Sequence, residues 1–454
     1  MSERGAFDIN TATAAATARA VRDGTISARE ACDAAIARIE KRDGEINAVV
    51  VRDFDRARAA AKRVDATRTK DDRRPLLGVP MTVKESNDVA GLPSTWGMPV
   101  FKDLPVEEDG IAVARLKNAG AVILGKTNAP VALADWQTVN PIYGRTVNPY
   151  DHARSPGGSS GGAAAALAAG MIPLELGSDI GGSIRVPAHM CGVFGHKPTY
   201  GLVPLKGHGF PGTDGIDVPL AALGPMARNV EDLNLAFDVL AGPVAGVAYK
   251  LDLPPPRLQT LSAYRVLVLD AHPSAATDTT MRNALHALAG KLDRAGARVE
   301  YETSGLPDLA AAHRGYTKML STIVTRGTPG VTPIDAHAWM ELLDEQMRVA
   351  RQWQTVFSNV DVVLTPPFGT TAFPHDDNPN WSARTLKVDG KDTPYGVQVA
   401  WPGVATYPGL PATAAPIGKT AEGLPIGIQI IGAMFDDRTT LAFAALLEQD
   451  GLTA

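Results

Sequence analysis

Apolar and polar positions along this chain follow two periods, one helical and one extended, and the two interleave from end to end. Ser27 followed by Glu30 forms a capping box. Behind it Ala31, Ala34, Ala35, Ala37 and Ile39 predict a helix that runs to about Lys41. A second helix is expected over residues 53–65, so residues 1–70 read as an N-terminal helical segment. After the charged run 68–74 the character changes. Leu77, Val79, Met81 and Val83 alternate with Gly78, Pro80, Thr82 and Lys84, which is the period of a strand. Both sets are largely apolar or small, so the strand is expected to be buried, with Lys84 at its end. A lysine in that position needs an explanation.

Further strands are predicted at 121–124, 173–176, 265–270, 298–302, 361–364 and 426–431. Helices are predicted at 112–118, 163–169, 231–240, 280–294, 309–324, 336–357 and 438–449. Such alternation indicates an α/β architecture on a central sheet. The Pro-rich stretch 242–258 reads as a linker inside the fold.

Composition narrows the function classes. The chain has 454 residues, 45% hydrophobic and 20% charged, enough to bury a large core. Its net charge of −5 comes without a basic stripe, which argues against nucleic-acid binding. Two cysteines, Cys32 and Cys191, make no disulfide framework and are expected as small buried side chains in a reducing compartment. Met1 to Asn10 lacks the pattern of a secretory leader. No apolar run approaches a membrane span, so the cytoplasm is the expected location. No metal-ligand spacing such as His-Glu-x-x-His or paired Cys-x-x-Cys occurs, and no cofactor is expected.

Three short patterns match known motifs and mislead. Gly120 to Thr127 fits the phosphate-binding loop expression, yet Ala-Val-Ile-Leu between its glycines prefers a buried strand. Gly207-His-Gly209-Phe-Pro-Gly212 fits a dinucleotide fingerprint, but Pro211 and the residues after it open no helix. Gly157-Gly-Ser159-Ser-Gly161 fits the nucleophile elbow, but the polar, Pro-containing residues 148–156 ahead of it make no core strand.

The informative stretch is residues 155–200. Two glycine-flanked serine loops, at Ser159-Ser160 and at Ser183, bracket an alanine helix and a short strand. Glycine before each serine removes a Cβ and lets a neighbour approach the backbone. This block, together with GVPMTVKESNDVAG (78–91), GKTNAP (125–130), LGPMARNVEDL (223–233) and GLPIGIQIIG (423–432), resembles the amidase signature family over nearly the whole chain. The resemblance implies a single α/β/α domain over 1–454 with a central twisted mixed β-sheet covered by helices. Residues 78–242 would be its catalytic core and 303–400 its variable substrate-pocket region. It implies Lys84 as the catalytic lysine, Ser159 as the bridging serine after a cis peptide bond, and Ser183 as nucleophile. The oxyanion donors would be the amides of Ile180, Gly181, Gly182 and Ser183. Asp179 and Arg185 would be a buried pair fixing that loop, with Ser160 in support.

The chemistry also follows from the residues. A serine hydroxyl needs a base, and lysine is a base only when neutral, with a free pKa of about 10.4. Burial lowers that value. A pKa near 7.4 would take about 4 kcal/mol, at roughly 1.4 kcal/mol per unit. A serine between the two could relay the proton. His152, His189 and His196 lie near the serine loops in sequence, and His189 and His196 are expected as packing or pocket-wall residues. The expected substrate is a small, aromatic or apolar amide, with carbamates (urethanes) and esters as co-substrates, for a monomer or homodimer without nucleic-acid or membrane partners. The alternative is the glutaminase subunit of a transfer-RNA amidotransferase, against which stands Val186 after Arg185, where that subunit resembles a Gln-bearing pattern. A binding module without activity is disfavoured by the intact triad positions.

Overall fold

The computed structural model describes residues 7–454 except 212, 214 and 249. The first residues read for a leader, and Gly212 of the dinucleotide pattern, therefore lie outside the described residues. The capping box at Ser27 is present with both hydrogen bonds, and its helix extends to Ala28–Ile46. Helix Phe54–Thr67 follows, as expected, but a strand, Val49–Arg52, lies between the two where only helix was predicted.

One eleven-stranded mixed sheet organises the chain. Across it run Val49–Arg52, Val122–Thr127, Pro80–Lys84, Leu174–Asp179, Ala222–Ala227, Phe194–Lys197, Ala412–Lys419, Pro425–Ile431, Val362–Thr365, Arg265–Val268 and Arg298–Glu300. Strands Pro80–Lys84 and Leu174–Asp179 are parallel neighbours, with Thr82 opposite Glu175. Their C-terminal ends therefore reach the same edge of the sheet, where open α/β sheets place their ligands. The serine loops hang from that edge.

Helix Gly161–Ala168 is fully buried over residues 161–167 and packs against the strands that carry Lys84 and Asp179. Its alanines let it approach that closely. Residues 120–127 are no wrapped loop: strand Val122–Thr127 includes Lys126, whose Nζ is used on Pro93 O and Ser94 Oγ. Three central strands were not anticipated. Ala222–Ala227 contains Pro225, which cannot donate to a ladder and normally argues against a central strand. Phe194–Lys197 carries buried His196 and Lys197, whose polarity hides its place in the core. Ala412–Lys419 is built mostly of alanine and other small residues, with only Thr413 and Ile417 as strand formers and Pro416 between them, too weak a signal to announce it.

Both cysteines are buried and free, as expected, and burial pushes the Cys32 thiol up to about 12. No helix among the described residues is long and apolar enough to cross a membrane.

Candidate active site

Lys84 ends its strand with no solvent exposure. Its Nζ donates to Ser159 Oγ at 2.6 Å and to Ser178 Oγ at 2.9 Å, and it bonds no carboxylate among the described residues. An ammonium taken out of water without a paired anion is costly. Burial accordingly pushes Lys84 down to about 7, against the opposing pull of Asp179 and Glu175. Glu175 accepts from Thr82 Oγ1 and, at 3.1 Å, from Thr127 Oγ1. Burial pushes its carboxyl up to about 8, although both threonines and Lys84 favour the charged form.

Ser159 follows a cis peptide bond from Gly158. Gly157, just before, has φ +83°, and a Cβ there would lie 2.6 Å from Pro187 Cα, so only glycine fits. The second serine loop is tied to the first: Ser160 N donates to the Ser183 carbonyl at 3.1 Å, and Ser160 Oγ donates to Ser178 O at 3.2 Å. Ser183 is nearly buried, and its Oγ bonds nothing among the described residues. The residues singled out in the sequence thus converge at one end of the sheet. Two surface hollows of ≈540 and ≈690 Å³ border none of them.

The loop 179–185 is fixed from beneath. Asp179 and Arg185, both wholly buried, pair in fork geometry at 2.8 and 3.0 Å. Arg185 spends its other donors on Pro402 O, Gln429 Oε1 and Thr406 Oγ1. Asp179 also accepts from the amides of Gly182 and Ile184. Burial alone would raise its pKa, but Arg185 overrides this and holds it at about 2. The Gly182 amide is therefore spent on Asp179. Those of Ile180, Gly181 and Ser183 donate to no group among the described residues, and Ile180 and Gly181 are partly exposed. Three free amides next to a serine, not four, can converge on a developing oxyanion.

Aromatic side chains wall one side of this loop. Trp136 packs on Phe368 and Tyr395 at centroid distances of 5.0 and 5.2 Å, with Trp381 at 6.2 Å. Asp135 accepts from Tyr395 Oη at 2.8 Å and pairs with Arg384. Other large aromatic side chains do different work. Trp401 is fully buried and donates to Thr277, Tyr143 reaches Glu85 at 3.4 Å, and Trp339 packs at the margin of the core.

A sequence profile of the amidase family matches residues 30–325 and 311–441, nearly the whole chain. The chain belongs to the amidase signature family. It is 34% identical to AtzE, a 1-carboxybiuret hydrolase subunit of Pseudomonas sp. strain ADP, over 95% of this chain and 97% of that one. It is 32% identical to the indoleacetamide hydrolase of Bradyrhizobium diazoefficiens, over 95% and 85%. It is also 34% identical to a glutamyl-tRNA(Gln) amidotransferase subunit of Roseiflexus castenholzii, over 92% and 91%. Among solved structures, a protein of a vestigial complex bearing on the origin of an s-triazine catabolic enzyme superposes with a TM-score of 0.84. That match has 30% identity over 97% of this chain and 99% of that one.

In this amidase His152 is exposed, and the other two histidines near the serine loops are occupied elsewhere. His189 Nδ1 accepts from the Gly427 amide at 2.7 Å while Nε2 faces Thr370 O at 3.0 Å, and burial pushes its pKa down to about 4. His196 bridges Thr413 Oγ1 and Asp437 Oδ1. Both are packing residues, as expected. Sequence reasoning missed Ser178, Glu175 and Tyr316. For the first two a signal existed: both lie on the strand that runs parallel to that of Lys84, Glu175 opposite Thr82 and Ser178 near its end. For Tyr316, 136 positions from the carbonyl it bonds, there was none.

Proposed function

We propose that this amidase cleaves small amides through an acyl-enzyme, with Ser183 as nucleophile, Ser159 as proton relay and Lys84 as base. The observation that carries the reading is the buried Lys84 Nζ bonded to serine hydroxyls and, among the described residues, to no anion. Such a lysine is largely neutral just above pH 7 and can take a proton. Ser183 Oγ attacks the substrate carbonyl carbon, and its proton passes through Ser159 to Lys84. The oxyanion that forms is held by the amides of Ile180, Gly181 and Ser183. As the C–N bond breaks, the proton returns by the same route to the leaving nitrogen, and the amine departs. Water, deprotonated in the same way, then attacks the acyl carbonyl and releases the acid and Ser183.

The aromatic wall of Trp136, Phe368, Tyr395 and Trp381 supports an aromatic or apolar substrate group, because apolar burial supplies affinity while a few polar atoms set orientation. The relative that hydrolyses indoleacetamide is consistent with that class. Aryl carbamates and esters pass through the same kind of oxyanion and are expected co-substrates. The likeness to an amidotransferase component keeps the glutaminase alternative in view. Against it, Val186 is wholly buried in an apolar setting beside Gly182.

A panel of aryl amides, para-nitroanilides, carbamates, esters and glutamine, run on the purified protein, tests the reading. Aromatic amides are expected to be turned over and glutamine hardly at all. Glutamine turnover exceeding that of every aromatic amide would reverse the choice.

A further inference from the structure

The loop that carries the free amides is held by its carbonyls as well as by Asp179. Tyr316 Oη donates to the Ile180 carbonyl at 2.7 Å. Trp136 Nε1 donates to the Gly181 carbonyl at 3.0 Å. A trans peptide unit is planar, and its C=O and N–H point in opposite directions. Fixing the Ile180 carbonyl therefore aims the Gly181 N–H the other way. Fixing the Gly181 carbonyl aims the Gly182 N–H, which completes the clamp by donating to Asp179 Oδ1 at 2.9 Å. The Gly181–Gly182 peptide is thus tied at both ends, and the Ile180–Gly181 peptide at its carbonyl only. The one amide left to point freely from these two units is that of Gly181.

We infer that Tyr316 and Trp136 are positioning residues that grip the oxyanion loop through its carbonyls, Tyr316 aiming the Gly181 amide and Trp136 fixing the peptide unit that follows it. The inference rests on the amidase reading of the site. Gly182 shows why the loop needs such holding. Its φ is +92°, and the backbone around two consecutive glycines has more freedom to lose than any other. Without external donors those peptides can rotate, and a displaced donor forfeits much of the stabilisation it gives a developing charge.

Of the two clamps, Trp136 belongs to the substrate wall and Tyr316 to a helix packed beside the loop. Tyr316 is fully buried on helix Leu309–Val324, and its hydroxyl lies 3.7 Å from where a Gly181 Cβ would be. Trp136 presents its ring to Phe368, Tyr395 and Trp381 and its N–H to the loop. The wall that receives the substrate and the loop that receives its oxygen share this side chain. A substrate that packs well on Trp136 is therefore expected to steady the loop and gain in kcat, not only in KM.

The test uses Tyr316→Phe and Trp136→Phe, each of which keeps a ring and loses the donor. For each, kcat and KM on the best aryl amide are measured, with the affinity of the corresponding aldehyde. An aldehyde adds Ser183 and places an oxyanion in the loop, whereas the acid product reports ground-state binding. The expected result is a fall of about tenfold in kcat. Aldehyde affinity should fall by a similar factor; KM and product binding should stay within about twofold in Tyr316→Phe, and in Trp136→Phe, which also trims the substrate wall, they should change by less than kcat does. Circular dichroism checks folding, and Trp136→His, which restores a ring N–H, serves as a second variant expected to regain part of the loss. The inference is overturned if both Phe variants keep kcat and aldehyde affinity within twofold of wild type, or if the loss lies wholly in KM. Wild-type protein that hydrolyses no amide or ester would instead remove the amidase reading itself.

Discussion

Lys84 Nζ lies 2.6 Å from Ser159 Oγ in a site where, among the described residues, no carboxylate is bonded to it. That relationship makes neutrality, not charge, the property the site selects. Replacing Lys84 by Ala or Ser183 by Ala is expected to cost similar, very large factors in kcat, on the order of 10⁴ or more, because parts of one catalytic unit are not additive. Lys84→Arg keeps the charge but cannot lose its proton, so it is expected to be as inactive as Lys84→Ala. Steady-state rates of the three variants check this. Activity of the arginine variant above a tenth of wild type would show that the position supplies charge instead of a base.

The pH dependence follows from the same burial. Lys84 is a base only above its pKa, so kcat/KM is expected to rise with pH through about 7 and stay high into alkali. Glu175 raises that pKa whenever it is ionised. Burial keeps that carboxyl protonated up to about pH 8, so Glu175→Gln is expected to leave the rising limb in place, read from kcat/KM profiles of both proteins. A clear shift to lower pH would show that Glu175 is ionised where Lys84 titrates.

Asp179 and Arg185 form a pair with no exposed side-chain surface. Asp179→Asn leaves the buried guanidinium without its anion, a change that typically costs about 3–5 kcal/mol. It also loosens the Gly182 amide. Chemical denaturation should show that loss of stability, and kcat should fall with it. The exposed pair Arg19–Glu231 is the control, since such pairs contribute about 0–1 kcal/mol.

Much of this site was legible in the sequence, and the reason is local. The lysine-terminated strand, the capping box, the alanine helix and the two serine loops each announce themselves within ten residues. What the sequence hid depends on partners far along the chain. Ala222–Ala227 is a central strand despite Pro225 because Leu174–Asp179 pairs with it along its whole length, while Phe194–Lys197 pairs with it only at Met226 and Ala227, beyond the proline. Gly182 was counted among four oxyanion donors, but the Asp179 carboxylate claims its amide, which only the folded turn reveals. Tyr316 reaches Ile180 from a helix whose pattern reads as ordinary amphipathic packing.

No step above uses a metal ion, and among the described residues no three His, Cys, Asp or Glu side chains gather as a metal site. Dialysis against a chelator is expected to leave activity unchanged. Activity lost on dialysis and restored by zinc would contradict this.

The central claim is that Ser183 is the nucleophile and that a neutral lysine activates it. The most direct measurement is the rate at which a fluorophosphonate modifies the protein between pH 5 and 10, with peptide mapping of the adduct. The expected adduct lies on Ser183, and its rate of formation rises through a single ionisation near pH 7 and disappears in Lys84→Ala. An adduct on Ser159 or Ser160, or a rate already flat from pH 5, would contradict it.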